Sequence, residues 1–195
     1  ESKKIYGWGR NKFAHCTVFT PLNEEKLKKI VRNADYKSLI ARGLGRSYGD
    51  SAQLDKKSVV SLSNFNSFQL DTDNHEVTAK AGISFDELLS FIVPKGFFLP
   101  VSPGTRFVTV GGAVASDVHG KNHHINGSFG QNLKEIILMD GTGEIHKLRP
   151  FDDLNPHNVK KFWATVGGMG LTGIILEATF SVIPISSSYI KVDTK

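Results

Sequence analysis

Glycine places the strongest constraint on this chain, because it is concentrated in three stretches, 43–49, 104–120 and 167–173, spread along the 195 residues. Glycine stands where a Cβ would block a left-handed backbone or a close approach, so each stretch must turn sharply or lie against a neighbour. The first, Ala41-Arg42-Gly43-Leu44-Gly45-Arg46-Ser47-Tyr48-Gly49-Asp50, follows a short apolar strand, Ser38 to Ala41. Its backbone N–H groups suit a diphosphate, with Arg42, Arg46 and Ser47 adding charge and a hydroxyl. A plain structural turn explains the same residues. The spacing is GxGxxxG, and Asp50 stands where a helix should begin, which argues against a Rossmann loop. A P-loop is excluded, since no Gly-Lys-Ser/Thr occurs.

The second stretch runs from Pro103-Gly104-Thr105 through Thr109-Val110-Gly111-Gly112-Ala113-Val114-Ala115-Ser116-Asp117-Val118-His119-Gly120-Lys121-Asn122-His123-His124. A Gly-Gly pair opening a helix of small residues suits a close-lying phosphate or planar ring. His119 then stands as an exposed imidazole beside that ligand. The competing reading is a set of polar loop histidines bonded to backbone. The His119-x-x-x-His123 spacing raises a metal, but Gly120 and Asn122 weaken the helix it needs and no third ligand is evident, so no metal is expected. The third stretch, Gly167-Gly168-Met169-Gly170-Leu171-Thr172-Gly173, packs four glycines into seven residues between a helix and a strand. Alone it reads as a tight connection. Together, three such stretches are best explained by one long ligand lying across the chain, and FAD has that length.

Local patterns supply the elements around these stretches. Residues 22–34 read as a helix with Asn23 as N-cap, Glu24 and Glu25 in its first turn, and Leu27, Ile30 and Val31 on one face. Residues 59–62 and 76–81 read as strands. Ser84 and Glu87 form a capping box for a helix with Phe85, Leu88, Leu89 and Ile92 inward, stopping before Pro94. Residues 136–139 and 144–148 flank Asp140-Gly141-Thr142-Gly143 as a hairpin. Asn155-Pro156 is the N-cap and first residue of a helix through Trp163, and 174–183 alternates as a strand. Without a regular βαβ rhythm, the expected class is α+β.

Net charge +5 admits an anionic partner, but the basic residues are scattered, so no nucleic acid is expected. Cys16 is the sole cysteine, which excludes an internal disulfide and leaves the redox compartment open. Glu1 to Arg10 lacks the apolar core of a signal peptide, and no apolar run approaches the ~20 residues of a membrane helix. The expected location is cytoplasmic or peripheral to the inner membrane.

The segments 41–50, 103–124, 127–130 (GSFG) and 162–175 together resemble the FAD-binding, p-cresol-methylhydroxylase-type domain of the vanillyl-alcohol-oxidase superfamily. Within it the chain is most similar to the flavoprotein subunits of polyprenylphosphoryl-ribose 2′-epimerases, which take part in cell-wall arabinan synthesis. The resemblance implies two α+β lobes, about 13–101 and 102–185, with FAD between them, and a C-terminal substrate domain absent from these 195 residues. It implies oxidation of a sugar hydroxyl, the 2′-OH of polyprenyl-phosphate-linked ribose, by hydride transfer to FAD, with a partner NAD(P)-dependent reductase. An aldonolactone- or alditol-type FAD oxidase and a non-catalytic nucleotide-binding module are the alternatives.

By the same resemblance, Ile40, Ala41, Arg42, Gly43, Leu44, Gly45, Arg46, Ser47, Tyr48, Gly49 and Asp50 hold the diphosphate. Gly104, Thr109, Val110, Gly111 and Gly112, with Ser116, Asp117, Val118 and His119, line the diphosphate and flavin. Ile174 or Ile175 meets adenine through its backbone. Arg46 stands where many relatives carry a flavin-linking histidine, so FAD is expected to be non-covalent. Oxidising a carbinol needs a base within reach of its hydroxyl; His119 is the candidate, and Lys121 would hold a substrate oxygen or phosphate. The alternative is that His119 only bonds flavin or backbone, with the base on the absent domain.

Overall fold

The computed structural model describes residues 2–34 and 38–193; Glu1, 35–37 and 194–195 lie outside the described residues. β1 (Ser2–Tyr6) and β2 (Phe13–Phe19) form an antiparallel hairpin. α1 (Glu24–Asn33) then crosses to β3 (Leu39–Arg42), and β4 (Ser58–Ser61) inserts between β2 and β3, parallel to both. The resulting order is β1-β2-β4-β3, with β3 at one edge and its C-terminal end free to run into the first glycine stretch.

The helix starts where the sequence says it must. Asn23 Oδ1 accepts the Lys26 N–H at 3.0 Å, and Leu27 and Val31 are buried. Such a cap is worth about 1 kcal/mol.

The next elements are β5 (Phe68–Asp71), β6 (Glu76–Lys80), α2 (Phe85–Ile92), β7 (Phe97–Phe98), α3 (Val110–Ala115) and α4 (His123–Asn126). After them come β8 (Leu133–Met139), β9 (Ile145–Leu148), α5 (Pro156–Thr165), β10 (Ile174–Ser181) and β11 (Ile183–Pro184). Five strands form a wholly antiparallel sheet, β5-β6-β10-β8-β9, and β7 pairs with β11. This mixture, without repeated βαβ units, is α+β. The five-stranded sheet draws on residues 68–181 and so takes strands from both sides of the expected division near residue 101.

The capping box is complete: Ser84 Oγ accepts the Glu87 N–H at 3.2 Å, and Glu87 Oε2 accepts the Ser84 N–H at 3.0 Å. It directs Phe85, Leu88 and Ile92 into the core. There Phe85, Phe129 and Phe180 form a tilted stack, with ring centroids 5.4 and 5.1 Å apart. All three are fully buried, each worth about 1.5–3 kcal/mol of transfer from water. The core is continuous from Leu27 on α1, through Val60 and Ala79, to Met139 and Phe162. Lys80 on β6, paired at 3.2 Å with both Glu24 and Glu177, ties α1 to the second sheet.

Two sequence expectations shift in detail. α5 runs to Thr165 rather than Trp163, its last turn closed by the Val166 N–H donating to the Phe162 carbonyl at 3.0 Å. Asn155 takes the N-cap position, but its side chain makes no capping bond.

Candidate functional site

The three glycine stretches converge on one cleft with two joined chambers. The inner chamber, of about 120 Å³, lies among Ala41 to Leu44, the Ala81-Gly82 turn, α3 and the 169–175 segment. The outer chamber, of about 580 Å³, lies among Gly43 to Tyr48, Pro103 to Thr105, Thr109 and Val118. Gly43, Leu44, Thr109, Gly112, Ser116 and Met169 line both. A side groove continues past Gly170 and Gly173 to Ile40, Ile174 and Asp140. Ligand sites typically measure about 300–1,000 Å³, so the cleft has room for a long, thin molecule.

The charge in the two chambers is of one sign. Arg42 and Arg46 are the only charged side chains among the lining residues, and no carboxylate pairs with either among the described residues. Arg42 is half-buried; its Nη1 donates to the Ala52 carbonyl at 2.8 Å and its Nη2 to the Tyr6 carbonyl at 2.6 Å. Burial pushes its pKa down, opposed by the nearby Cys16 thiol, yet a guanidinium stays charged under any ordinary condition. Ser47, Ser51, Ser61, Ser63, Thr109 and Ser116 add hydroxyls to this cationic wall. Uncompensated positive charge with hydroxyl donors is what a diphosphate requires.

The glycines separate into those that serve packing and those that face the cleft. A Cβ on Gly111 would lie 2.9 Å from Ala81 Cβ, so Gly111 lets α3 press onto the end of β6. On Gly112 it would approach only Thr109 Oγ1, at 3.1 Å. Gly104 has no protein atom within 4 Å of the Cβ position and no left-handed backbone, so packing alone does not call for glycine there. The opening N–H groups of α3 are all used internally: Val110 donates to Ile83 O, Gly111 to Ala81 O and Gly112 to Thr109 Oγ1. A cleft ligand therefore meets α3 through the absence of side chains rather than through free donors.

Of the residues expected from sequence, Ala41, Arg42, Gly43, Leu44, Ser47, Thr109, Gly111, Gly112, Ser116 and Ile175 line the inner chamber. Gly45, Arg46, Tyr48, Gly104 and Val118 line the outer one, and Ile40 and Ile174 the side groove. The rest stand apart from these walls. Val110 is fully buried in the core. Gly49 is the left-handed end of the loop (φ 62°), and Asp50 faces another groove beside Lys12 and Asp55. Asp117 turns the chain with φ 42° and accepts the Gly130 N–H at 2.8 Å. His119 is exposed, one residue beyond Val118, and bridges to Ser128; Lys121 is exposed further along.

The His119 and His123 rings stand 5.7 Å apart, and His123 Nδ1 is 3.1 Å from the Gly120 carbonyl. Ligand-type atoms converge instead at Asp140, Glu144 and His146. Asp140 there is taken up by the hairpin: it accepts from the Thr142 hydroxyl and from the Thr142 and Glu144 N–H groups, and His146 Nε2 lies 2.6 Å away. Although burial pushes its pKa up, these hydrogen bonds hold it well below the usual carboxylate range.

Sequence reasoning missed Trp8, Ser51 and Ser63 as cleft residues, and had Thr105, Met169 and Gly170 only as members of the glycine stretches assigned to one long ligand. The Gly7-Trp8-Gly9 triplet was the available signal for Trp8; the serines carried none.

An α+β chain whose glycine stretches enclose a cationic cleft fits an FAD-binding protein. Residues 17–149 match the family of FAD binding domains, and the chain belongs to that family. It is similar to the decaprenylphosphoryl-beta-D-ribose oxidase of Mycolicibacterium smegmatis, with 41% identity over 98% of this chain and 42% of the relative. It is also similar to the D-lactate dehydrogenase of Anaerostipes hadrus (29% identity, 68% of this chain, 28% of the relative). A third relative is the D-arabinono-1,4-lactone oxidase of Eremothecium gossypii (28% identity, 85% of this chain, 31% of the relative). The chain thus spans less than half the length of each of these relatives.

Proposed function

We propose that this chain is the cofactor-holding part of an FAD-dependent oxidoreductase that oxidises a sugar hydroxyl, the 2′-OH of a polyprenyl-phosphate-linked ribose. The observation that carries the reading is the continuous cleft, lined by Arg42, Arg46 and a row of hydroxyls, with Gly104 and Gly112 adding no side chain to its wall and Gly43 making room for Thr109. The 41% identity to a decaprenylphosphoryl-beta-D-ribose oxidase supports the substrate class. The similarity to a D-arabinono-1,4-lactone oxidase supports the second reading, an aldonolactone- or alditol-type oxidase.

The division of labour follows the cleft. Two lobes, one built on each large sheet, hold FAD between them, with their boundary between β4 and β5. Arg42 and the hydroxyls of the inner chamber bind the diphosphate, and Gly112 lets it lie against α3. The side groove at Ile40 and Ile174 takes the adenine, next to Ile175 of the inner chamber, and the outer chamber takes the flavin ring. Bound there, FAD would supply the hydride acceptor for oxidation at the carbinol carbon. Arg46 occupies the position of a linking histidine and has no nucleophile to offer, so the cofactor is held without a covalent bond. His119, at the rim beyond Val118, takes the proton from the carbinol oxygen, and Lys121 holds a substrate oxygen or phosphate by charge. A C-terminal substrate domain covers the outer chamber, and a separate NAD(P)-dependent reductase restores the alcohol with inverted configuration. Contact with a membrane is peripheral; no helix among the described residues is long and apolar enough to cross one.

Anaerobic mixing of the FAD-loaded complete enzyme with each substrate class tests this assignment. Polyprenylphosphoryl ribose should bleach the flavin, and aldonolactones and alditols should not. Bleaching by a lactone or alditol alone would transfer the assignment to the second reading.

A further inference from the structure

Resting on the FAD reading, we propose that residues 46–48 form a flap over the outer chamber, latched shut by Trp8 of the β1–β2 turn, which controls release of the cofactor. The hinges are at the ends of the segment. Gly45 and Gly49 both have left-handed backbones (φ 68° and 62°), and Arg46, Ser47 and Tyr48 lie between them. Glycine crosses between left- and right-handed regions more readily than any other residue, so rotation at these two positions swings the three residues together. Tyr48 is 80% exposed, so core packing does not anchor the segment at its tip.

What fixes it is a set of contacts from the β1–β2 turn and from the second glycine stretch. The Trp8 N–H donates to the Ser47 carbonyl at 2.9 Å, and the Arg46 guanidinium lies 5.0 Å from the centre of the Trp8 ring. On the other side, Arg46 Nε donates to the Phe107 carbonyl at 3.1 Å. Arg46 thereby spans the mouth from the first glycine stretch to the second. Gly7 completes the seat, since a Cβ there would overlap the Gly49 carbonyl oxygen. Trp8 itself lines the outer chamber. The turn that bears it is short, with the Arg10 N–H donating to the Gly7 carbonyl at 3.2 Å and Tyr6 registered against Phe13. This turn belongs to a hairpin whose outer strand β1 is a sheet edge, so latch and flap can part without breaking the core.

These contacts are few and close to solvent, the condition for a segment that opens locally. Removing the Trp8 ring takes away the stack on Arg46 and leaves the Trp8–Ser47 backbone bond in place. An exposed cation–aromatic contact of this kind corresponds to roughly a two- to fivefold change in a rate of opening. Trp8→Ala should therefore release FAD roughly two- to fivefold faster than wild type, and Trp8→Phe should restore most of the difference.

The experiment loads wild-type, Trp8→Ala and Trp8→Phe proteins with FAD, removes free flavin, and follows the return of flavin fluorescence on dilution. Melting temperatures of the three without FAD control for folding, which the exposed position of Trp8 should leave intact. Hydrogen exchange at the Trp8 amide gives a second measure in the wild type alone, where FAD should slow exchange. Faster release from Trp8→Ala with recovery in Trp8→Phe supports the latch. Equal release rates, or FAD-independent exchange at Trp8, overturns it. Failure of the wild type to take up FAD at all would instead overturn the functional reading on which the latch rests.

Discussion

Gly111 and Gly112 are adjacent and alike in sequence, yet alanine should affect them in opposite ways. At Gly111 the new Cβ lies 2.9 Å from Ala81 Cβ and 3.2 Å from Ala81 O. The Gly111 N–H is bonded to that same carbonyl at 2.9 Å, so α3 cannot slide away without losing the bond. Overpacking of this kind costs about 1–3 kcal/mol. For a chain of this size, that lowers the melting temperature by roughly 2–12 °C. At Gly112 the Cβ points into the cleft and approaches only Thr109 Oγ1, while the gain in helix propensity is about 0.5–1 kcal/mol. Gly112→Ala should melt at, or up to about 4 °C above, the wild-type temperature without cofactor. Its methyl should nonetheless collide with bound FAD, weakening the affinity by roughly 5- to 150-fold if the overlap costs the same 1–3 kcal/mol. The assays are thermal melting without cofactor and flavin-fluorescence titration with FAD. Wild-type FAD affinity in Gly112→Ala would refute the reasoning, as would a loss of stability there equal to that of Gly111→Ala.

Other outcomes follow from the same geometry. In the complete enzyme, His119→Ala should slow flavin reduction about 10²–10⁴-fold with FAD still bound, and Lys121→Ala should mainly raise the substrate concentration needed. Reduction at the wild-type rate in saturated His119→Ala would move the base to another part of the protein. Acid precipitation should leave the pellet colourless and the supernatant yellow, since Arg46 cannot link the flavin; colour retained in the pellet would contradict non-covalent binding. Because the folded Asp140 pKa is depressed, its stabilisation is complete above the unfolded value of about 3.9 and is lost as pH falls through the folded one. The stability difference between wild type and Asp140→Asn should therefore be largest near neutral pH and shrink below about pH 4; a pH-independent difference in urea melts would contradict this.

Elements governed by short-range chemistry were legible in the sequence. The Asn23 cap, the Ser84–Glu87 box and the Asp140-Gly141-Thr142-Gly143 hairpin each rest on contacts a few residues apart, and all three form. The β1–β2 hairpin was not legible, for a physical reason. β2 fully buries only the small Ala14 and Cys16, while Phe13 at its start is 52% exposed, so the strand lacks the large inward side chains that mark one in sequence. With that hairpin unread, the Trp8 turn went unread as well. The glycine stretches announced that a cleft exists and which segments frame it. They did not reveal which glycines serve the fold, because Gly111 is explained only by Ala81, distant in sequence and adjacent in space. Nor did they reveal that the opening N–H groups of α3 are already bonded, since two of those partners come from the Ala81–Ile83 turn.

The central claim, that the cationic cleft holds FAD, is tested most directly by gel filtration of the protein after incubation with excess FAD, recording the visible spectrum of the protein peak. Flavin bands should elute with the wild type and fall sharply with Arg42→Gln, which removes the cleft's half-buried charge. A wild-type peak without flavin absorbance, after incubation at saturating FAD, would contradict the account.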